Sequence, residues 1–185
     1  MKIPSRQGSP DDFQTPKEAL IPLFPYLKKK WLIWECAKGK GNLENGLMEK
    51  GFLTIGTDIL SGHDFLTWKP QEFDCIITNP PFSLKQQFLA RCYELKKPFA
   101  LLLPLTTFET SKRQRLFKKY GLEVIFFDKR INFETPNKVK NSSSWFATAW
   151  FTNGLNIGKS FTFEKFDNRQ QSLLNEGEIN ATKRP

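Results

Sequence analysis

The chain has 185 residues, which is long enough for one substantial core and too short for two full domains. Its formal net charge of +9 favours a polyanionic partner such as nucleic acid, although a merely basic protein would look the same. Three cysteines without metal-ligand spacing argue against a disulfide framework or a zinc site and favour a reducing cytoplasm. Because no apolar run reaches membrane-spanning length and no signal-peptide pattern occurs, we expect neither a membrane span nor export.

The composition divides the chain into three parts. Residues 1–14 mix Ser, Gly, Pro and Asp and predict a flexible leader, whereas 168–185 predict a polar, flexible tail. We therefore expect a single domain over 15–167. Its first helix is predicted to begin at Thr15, which can act as the cap, with Pro16 at the first helical position.

Strands and helices then alternate along the domain. The predicted strands cover 31–35, 52–58, 73–78, 98–103, 124–127 with a possible extension to 133, and 145–151. The predicted helices cover 43–48, 84–94 and 111–120. The last two strands could form an antiparallel hairpin around the polar loop 135–144. The pattern predicts an α/β sheet, mainly parallel, with ligands bound at the carboxyl ends of its strands.

The most specific motif is Asn79-Pro80-Pro81-Phe82, which follows an apolar predicted strand. The Asn79 side-chain oxygen and the Pro80 carbonyl can each accept an N–H from an aryl amine, which localises the nitrogen lone pair. The prolines restrict the backbone and offer no competing N–H, and Phe82 offers a face for a flipped base. A simple Pro-Pro strand end with a core Phe is the structural alternative.

This motif resembles the (Asp/Asn/Ser)-Pro-Pro-(Tyr/Phe) signature of the S-adenosylmethionine-dependent amino-methyltransferases, among which small adenine-N6 DNA methyltransferases are the most similar. The resemblance implies a Rossmann-like class I methyltransferase fold with an antiparallel last strand. It also implies adenosylmethionine as cofactor and no metal. Cys36 stands where that family often has Pro, and the short spacing between Asp58 and Asp64 leads us to expect a vestigial third strand.

The same resemblance assigns cofactor contacts in chain order. Glu35, followed by the turn from Ala37 through Gly39 to Gly41, resembles the first cofactor motif, in which the acid faces the cofactor's ammonium group. Asp58 matches the carboxylate that accepts the ribose hydroxyls. The remaining assigned contacts are Asp64 and Phe65 to the adenine, Thr15 and Pro16 to the carboxylate, and Asn79.

The substrate is expected beside the late strands. Arg130 and Phe133, followed by Trp145, resemble the strand pair that flanks the target base, although hydrophobic core is an alternative for both aromatic residues. Lys138 and Lys140, together with the basic helix 111–120, could contact phosphates.

The residues leave four readings of function open. We expect methyl transfer to the N6 amine of adenine in DNA. The alternatives are transfer to a base amine in RNA, transfer to a protein glutamine amide, and a non-catalytic nucleic-acid-binding protein that keeps the fold. Net basicity favours nucleic acid over protein as the partner, and the oligomeric state stays open.

Overall fold

The structure is a computed structural model that describes residues 13–133 and 146–166. Its strands in these residues are β1 (Leu32–Glu35), β2 (Leu53–Gly56), β3 (Cys75–Thr78), β4 (Phe99–Pro104), β5 (Glu123–Phe127), β6 (Thr148–Asn153) and β7 (Phe161–Glu164). The α-helices are α1 (Asn42–Glu49), α2 (Lys85–Leu95) and α3 (Ser111–Tyr120), and the 3₁₀ helices are Lys17–Tyr26, Ile59–Ser61, Phe82–Leu84 and Leu105–Glu109.

The strands form one sheet in the order β2-β1-β3-β4-β6-β5-β7. Neighbours pair in parallel except at β6, which runs antiparallel to both β4 and β5. The predicted mainly parallel α/β sheet with an antiparallel late strand is thereby confirmed. Because β1, β2 and β3 are parallel neighbours, the residues that follow them emerge at the same edge.

Helical segments cover both faces of the sheet. On one face, Leu20 and Leu47, from the first 3₁₀ helix and α1, pack over Ile33 and Trp150. On the other, side chains of α2 and α3 pack over the opposite side chains of β1, β3, β4 and β6. The central strand β4 is buried along its whole length, as its apolar sequence predicts for a strand covered on both sides.

The N-terminal helix differs from its prediction. It begins at Lys17 rather than near Thr15 and is a 3₁₀ helix that continues through Pro22 and Pro25. A proline has no N–H to donate and clashes with the preceding turn of an α-helix, which explains why the segment is not α-helical. Its N-cap is Pro16, and no side chain caps it, so the predicted capping role of Thr15 is wrong.

Two strand predictions also need correction. Strand β5 ends at Phe127 and does not extend to residue 133, and β7, at the edge beside β5, was not predicted. Strand β7 has only four residues and lies close to the predicted polar tail, so its short alternating pattern was not recognised in the sequence. Between β2 and β3, where all residues are described, there is no strand, so the third strand is absent rather than shortened.

Candidate active site

A cavity of about 300 Å³ opens at the carboxyl ends of β1, β2 and β3. Predicted cofactor residues from separate parts of the chain meet in its wall: Thr15, Glu35, Ala37, Gly39, Asp58 and Asn79. Pro81 of the Asn-Pro-Pro-Phe motif also lines it. The two most specific sequence motifs therefore share one cavity, and its size lies in the range of small-molecule sites.

Glu35 provides a buried acid at the end of β1. Its side chain is 1% exposed, and its Oε1 accepts hydrogen bonds from the Ala37 N–H, at 3.0 Å, and from the Thr78 hydroxyl. Burial raises the pKa of the Glu35 carboxyl to about 8, although these two hydrogen bonds act in the opposite direction. A buried carboxyl of this kind is suited to a cationic partner, because an adjacent positive charge would restore its ionised form.

The glycine turn after β1 forms the floor of the cavity. Gly39 and Gly41 have φ angles of 52° and 84°, in the left-handed region that favours glycine. A Cβ at Gly39 would lie 2.8 Å from the Gln14 side-chain oxygen, so the turn and residue 14 are in close approach. Gly41 is the N-cap of α1 and does not line the cavity, so its role is to shape the turn.

Asp58 connects this turn to the residues after β2. Its side chain is 4% exposed, and its Oδ2 accepts from the Gly39 N–H at 3.1 Å, while Oδ1 accepts from the Leu60 N–H at 3.0 Å. Each carboxylate oxygen has capacity for more than one donor. Asp58 can therefore hold the turn and still accept a hydroxyl from a ligand in the cavity.

Asn79 directly follows β3 and faces the cavity. Its Nδ2 donates to the Phe13 carbonyl oxygen at 3.1 Å, which orients the amide. Its Oδ1 is buried and has no hydrogen-bond partner, and the same holds for the Thr15 hydroxyl oxygen. Buried acceptors without a donor are uncommon in folded proteins and carry a free-energy cost, so both atoms fit a ligand that donates hydrogen bonds.

Phe82 belongs to a cluster of phenylalanines beside the cavity. The other members are Phe13, Phe133 and Phe146, and all four rings are half-buried. Phe13 stacks on Phe82 with a centroid distance of 5.5 Å, and it forms edge-to-face pairs with Phe133 and Phe146 at centroid distances of 5.7 and 5.5 Å. Phe82 and Phe133, predicted to contact the base, therefore come together although 50 residues separate them in the sequence.

Other predicted residues lie away from the cavity. Phe65 is buried between Trp34 and Phe88, and Asp64 uses its Oδ1 to accept from the Leu66 N–H. Neither lines the cavity, nor do Pro16 and Pro80.

The predicted phosphate contacts are only partly described. Arg130 is exposed after β5, whereas Lys138, Lys140 and Trp145 lie outside the described residues. In the basic helix α3, Arg113 is buried and donates to the carbonyls of Thr106 and Thr107, so it is not available to a phosphate.

Sequence reasoning missed part of the cavity wall. Phe13 and Gln14, assigned to the leader, both line it, and Gln14 Oε1 accepts from the Lys40 N–H at 2.9 Å. The other unpredicted lining residues are Lys38, Lys40, Asn42, Leu43 and Leu60. An apolar residue two positions before Thr15 was the available signal for Phe13, but the surrounding polar residues obscured it.

Metal sites and membrane spans can be assessed for the described residues. They contain no group of three His, Cys, Asp or Glu side chains placed to hold a metal ion. None of their helices is long and apolar enough to cross a membrane.

No protein-family model and no curated protein matches the chain. Among solved structures, a candidate RNA methyltransferase from Pyrococcus horikoshii has a TM-score of 0.50 and 13% identity, with 74% of this chain and 79% of that chain covered. The modification subunit of a candidate type I restriction enzyme from Vibrio vulnificus also scores 0.50, at 12% identity, with 78% of this chain and 45% of that chain covered. A TehB-like SAM-dependent methyltransferase from Corynebacterium glutamicum scores 0.44, at 16% identity, with 74% and 86% covered.

These comparisons establish the fold. The chain has the Rossmann-like α/β fold of methyltransferase structures, as its motifs predicted. It spans less than half of the restriction-enzyme subunit. At identities of 12% and 13%, the similarity shows only a shared fold. The chemistry therefore has to be argued from the site.

Proposed function

We propose that this protein transfers a methyl group from S-adenosylmethionine to the exocyclic N6 amine of adenine in DNA. The observation that carries the proposal is the position of Asn79. Asn79 lines the cavity that Glu35 and the Gly39 turn also line, its Oδ1 is buried without a hydrogen-bond partner, and it directly precedes Pro80-Pro81-Phe82. An acceptor for an amine and a candidate cofactor cavity are thus adjacent.

The residues of the cavity fit adenosylmethionine. Glu35 would face the ammonium group, Asp58 the ribose hydroxyls, and the unpartnered Thr15 hydroxyl could meet a polar group of the methionyl part. Bound adenosylmethionine supplies a methyl group on a positively charged sulfur, which is electrophilic without a metal ion. Asp64 and Phe65, which lie away from the cavity, remain a sequence-based proposal for the adenine contact.

The chemical task of the chain is to activate an aryl amine. The Asn79 Oδ1 and the Pro80 carbonyl would each accept one N–H of the amine, which concentrates the lone pair on nitrogen. The N–CH₃ bond then forms as the S–CH₃ bond breaks, and the displaced amine proton passes to water. Much of the rate enhancement comes from holding the amine in line with the methyl group.

Adenine in nucleic acid is the favoured acceptor for two reasons. The phenylalanines beside Asn79 offer ring faces and edges on which a flipped base can pack. Exposed cations on α3, with Arg130 and the lysines at 138 and 140, could contact the phosphate groups of the nucleic acid. We propose DNA ahead of RNA, and the cytoplasm as the compartment.

Of the three alternatives, only transfer to RNA has specific support. The solved structures include a candidate RNA methyltransferase and a DNA-modification subunit, so an RNA base amine is the second candidate. A glutamine amide has a similarly delocalised lone pair, but it cannot stack on phenylalanine as a base can. A non-catalytic nucleic-acid-binding protein would not need the unpartnered Asn79 oxygen beside a cofactor-sized cavity.

The test is transfer of radiolabelled methyl groups from adenosylmethionine to DNA lacking N6-methyladenine, to RNA made in vitro, and to protein extract. We expect label in DNA, recovered as N6-methyl-2′-deoxyadenosine after digestion to nucleosides. Label in RNA alone would show that RNA, and not DNA, is the substrate. Label in protein glutamine would show that the acceptor is an amide and not a base amine. Failure of calorimetry to detect cofactor binding would overturn the proposal.

A further inference from the structure

The four phenylalanines beside Asn79 have an unusual arrangement for a hydrophobic cluster. Phe133 and Phe146 stack on each other with a centroid distance of 5.9 Å. Phe146 and Phe82 form an edge-to-face pair with a centroid distance of 5.4 Å. Together these three residues form what we call the phenylalanine cage. The fourth ring, Phe13, stacks on the face of Phe82 with an interplanar angle of 26° and meets the two others edge-on. Each ring stays half-buried, so the cluster opens to solvent.

Phe13 thus lies where the proposed function needs a base. A base that stacks on Phe82 from the side of the cage would occupy the position of the Phe13 ring, and both cannot be there together. Aromatic pairs prefer centroid distances of about 4.5 to 7 Å, and Phe13 satisfies this range with all three cage residues. A planar base entering the same position would find the same three partners.

The backbone of Phe13 also engages the proposed amine acceptor. Asn79 Nδ2 donates to the Phe13 carbonyl oxygen, while Asn79 Oδ1 is buried and lacks a partner. A buried oxygen cannot accept from a substrate amine until the atoms that cover it move away. The ring of Phe13 therefore occupies the stacking surface of Phe82, and its carbonyl oxygen binds the Nδ2 of the amide whose Oδ1 is the proposed acceptor.

The neighbouring residues connect Phe13 to the cofactor cavity. We call Phe13, Gln14 and Thr15 the N-terminal strap. Gln14 Oε1 accepts from the Lys40 N–H in the glycine turn, and Thr15 is buried with its hydroxyl oxygen unpartnered. After the strap, Trp150 anchors the 3₁₀ helix by donating from Nε1 to the Ala19 carbonyl at 2.7 Å. A displacement of Phe13 can therefore be absorbed before this anchored helix.

We propose that Phe13 is a built-in occupant of the acceptor site, which the substrate base displaces by entering the phenylalanine cage. This inference rests on the proposed function and narrows its substrate class to a planar base extruded from a nucleic acid. An aromatic base regains the three ring contacts that Phe13 gives up, whereas a glutamine side chain regains none of them. Until then, the Phe13 ring occupies the position that the base would take.

Direct displacement can be followed by placing 4-fluorophenylalanine at position 13 in the full chain and recording its ¹⁹F resonance. Position 163 controls for effects of DNA away from the site, because Phe163 is an exposed ring at the far edge of the sheet that stacks on Phe126 at 5.3 Å and 23°, nearly the pair geometry of Phe13. We expect addition of unmethylated DNA with a non-reactive cofactor analogue to move the resonance at 13 toward that of a solvent-exposed ring. The resonance at 163 should not move.

The variant Phe13→Ala is expected to change the KM for DNA in opposite directions for the two roles that Phe13 could have. If Phe13 is an occupant, Phe13→Ala lowers the KM for DNA by roughly threefold or more, because less of the enzyme is held in the closed form. If Phe13 is instead a wall of the base site, the same substitution raises KM. Phe163→Ala is the control and should leave KM within experimental error.

The outcomes separate this inference from the proposed function. Methyl transfer to DNA or RNA by the wild type, with the ¹⁹F resonance at 13 unmoved or with KM raised in Phe13→Ala, would overturn the displacement alone. Absence of transfer to any nucleic acid would overturn both.

Discussion

The cofactor cavity and the phenylalanine cage lie side by side at one edge of the sheet, yet they differ in how ready they are for a ligand. The cavity is open, with two buried carboxyl groups and a backbone turn fixed by hydrogen bonds to Asp58 and Gln14. The cage is filled by Phe13, and the adjacent Asn79 oxygen is covered. One half of the site is preformed, whereas the other has to be opened by its ligand.

This difference fits an ordered use of the two halves. A small cofactor enters a preformed cavity with little reorganisation, which favours binding. A base that has to leave a duplex and displace Phe13 has two costs, and only a ligand with matching ring contacts can compensate for them. We therefore expect substitutions to separate cleanly into those that affect cofactor binding and those that affect transfer.

The largest separation is expected for Asn79→Ala. Loss of the amide oxygen removes an acceptor needed only when the amine reacts, so kcat should fall by about 10² to 10³, the size found for a preorganised hydrogen-bonding group at a reacting centre. Cofactor affinity, measured by calorimetry, should change little. Asn45→Ala, at an exposed position of α1, is the matched control. An equal loss of cofactor affinity and kcat would contradict the assigned role.

The second prediction concerns the pH dependence of cofactor binding through Glu35. Burial raises its pKa to about 8, so at neutral pH the carboxyl is largely protonated, and it has to ionise to face an ammonium group. Affinity should therefore rise by up to tenfold per pH unit below about pH 8, with release of a proton. Calorimetry in two buffers of different ionisation enthalpy measures that release.

The same pKa sets a dependence of stability on pH in the absence of cofactor. Because the folded-state pKa lies above the unfolded one, the contribution of Glu35 to stability is greatest below about pH 4.5 and is lost as the pH rises to about 8. Glu35→Gln should remove both this dependence and the proton release. Glu49→Gln, an exposed position on α1, should retain both.

How far the sequence predicts this site depends on the kind of contact. The order of strands and helices, and the meeting of Glu35, Gly39 and Asn79, follow from motifs at strand ends, since parallel neighbours carry their following loops to one edge. Phe65 could not be placed in this way, because an aromatic residue near a cofactor motif can equally fill the core, and here it packs against Trp34 and Phe88.

The role of Phe13 was hidden for a different reason. Its contacts lie 69, 120 and 133 residues away along the chain, at Phe82, Phe133 and Phe146. No local sequence pattern predicts contacts over such separations. The segment after it is a 3₁₀ helix that continues through Pro22 and Pro25, although proline would be expected to end an α-helix there. Local patterns predicted the preformed half of the site better than the half built from long-range aromatic contacts.

A further prediction tests the cofactor half directly. Asp58→Ala removes the proposed ribose acceptor together with the bond to the Gly39 N–H, so cofactor affinity should fall by about tenfold or more, tenfold being the effect of a single hydrogen bond to a charged group. The kcat at saturating cofactor should stay near that of the wild type. Asp128→Ala is the control, because Asp128 holds the Phe166 N–H at an exposed site on the far edge.

The smallest expected effect belongs to Gln14, which joins the two halves. Its Oε1 occupies the Lys40 N–H, a donor that a ligand carboxylate at the glycine turn could use. Removing this competitor in Gln14→Ala should tighten cofactor binding by up to about fivefold, equivalent to one net hydrogen bond of about 1 kcal/mol. Gln114→Ala, which removes an exposed amide bonded to the Phe108 carbonyl, serves as the control.

The sign of the Gln14 effect decides how the N-terminal strap acts. Tighter cofactor binding in Gln14→Ala would mean that the strap competes with both ligands, so that cofactor entry already loosens the segment that carries Phe13. Weaker binding would mean that Gln14 supports the turn and that only the cage is obstructed. In that case the cofactor and the base would meet independent barriers, and cofactor affinity would be the same in the presence and absence of DNA.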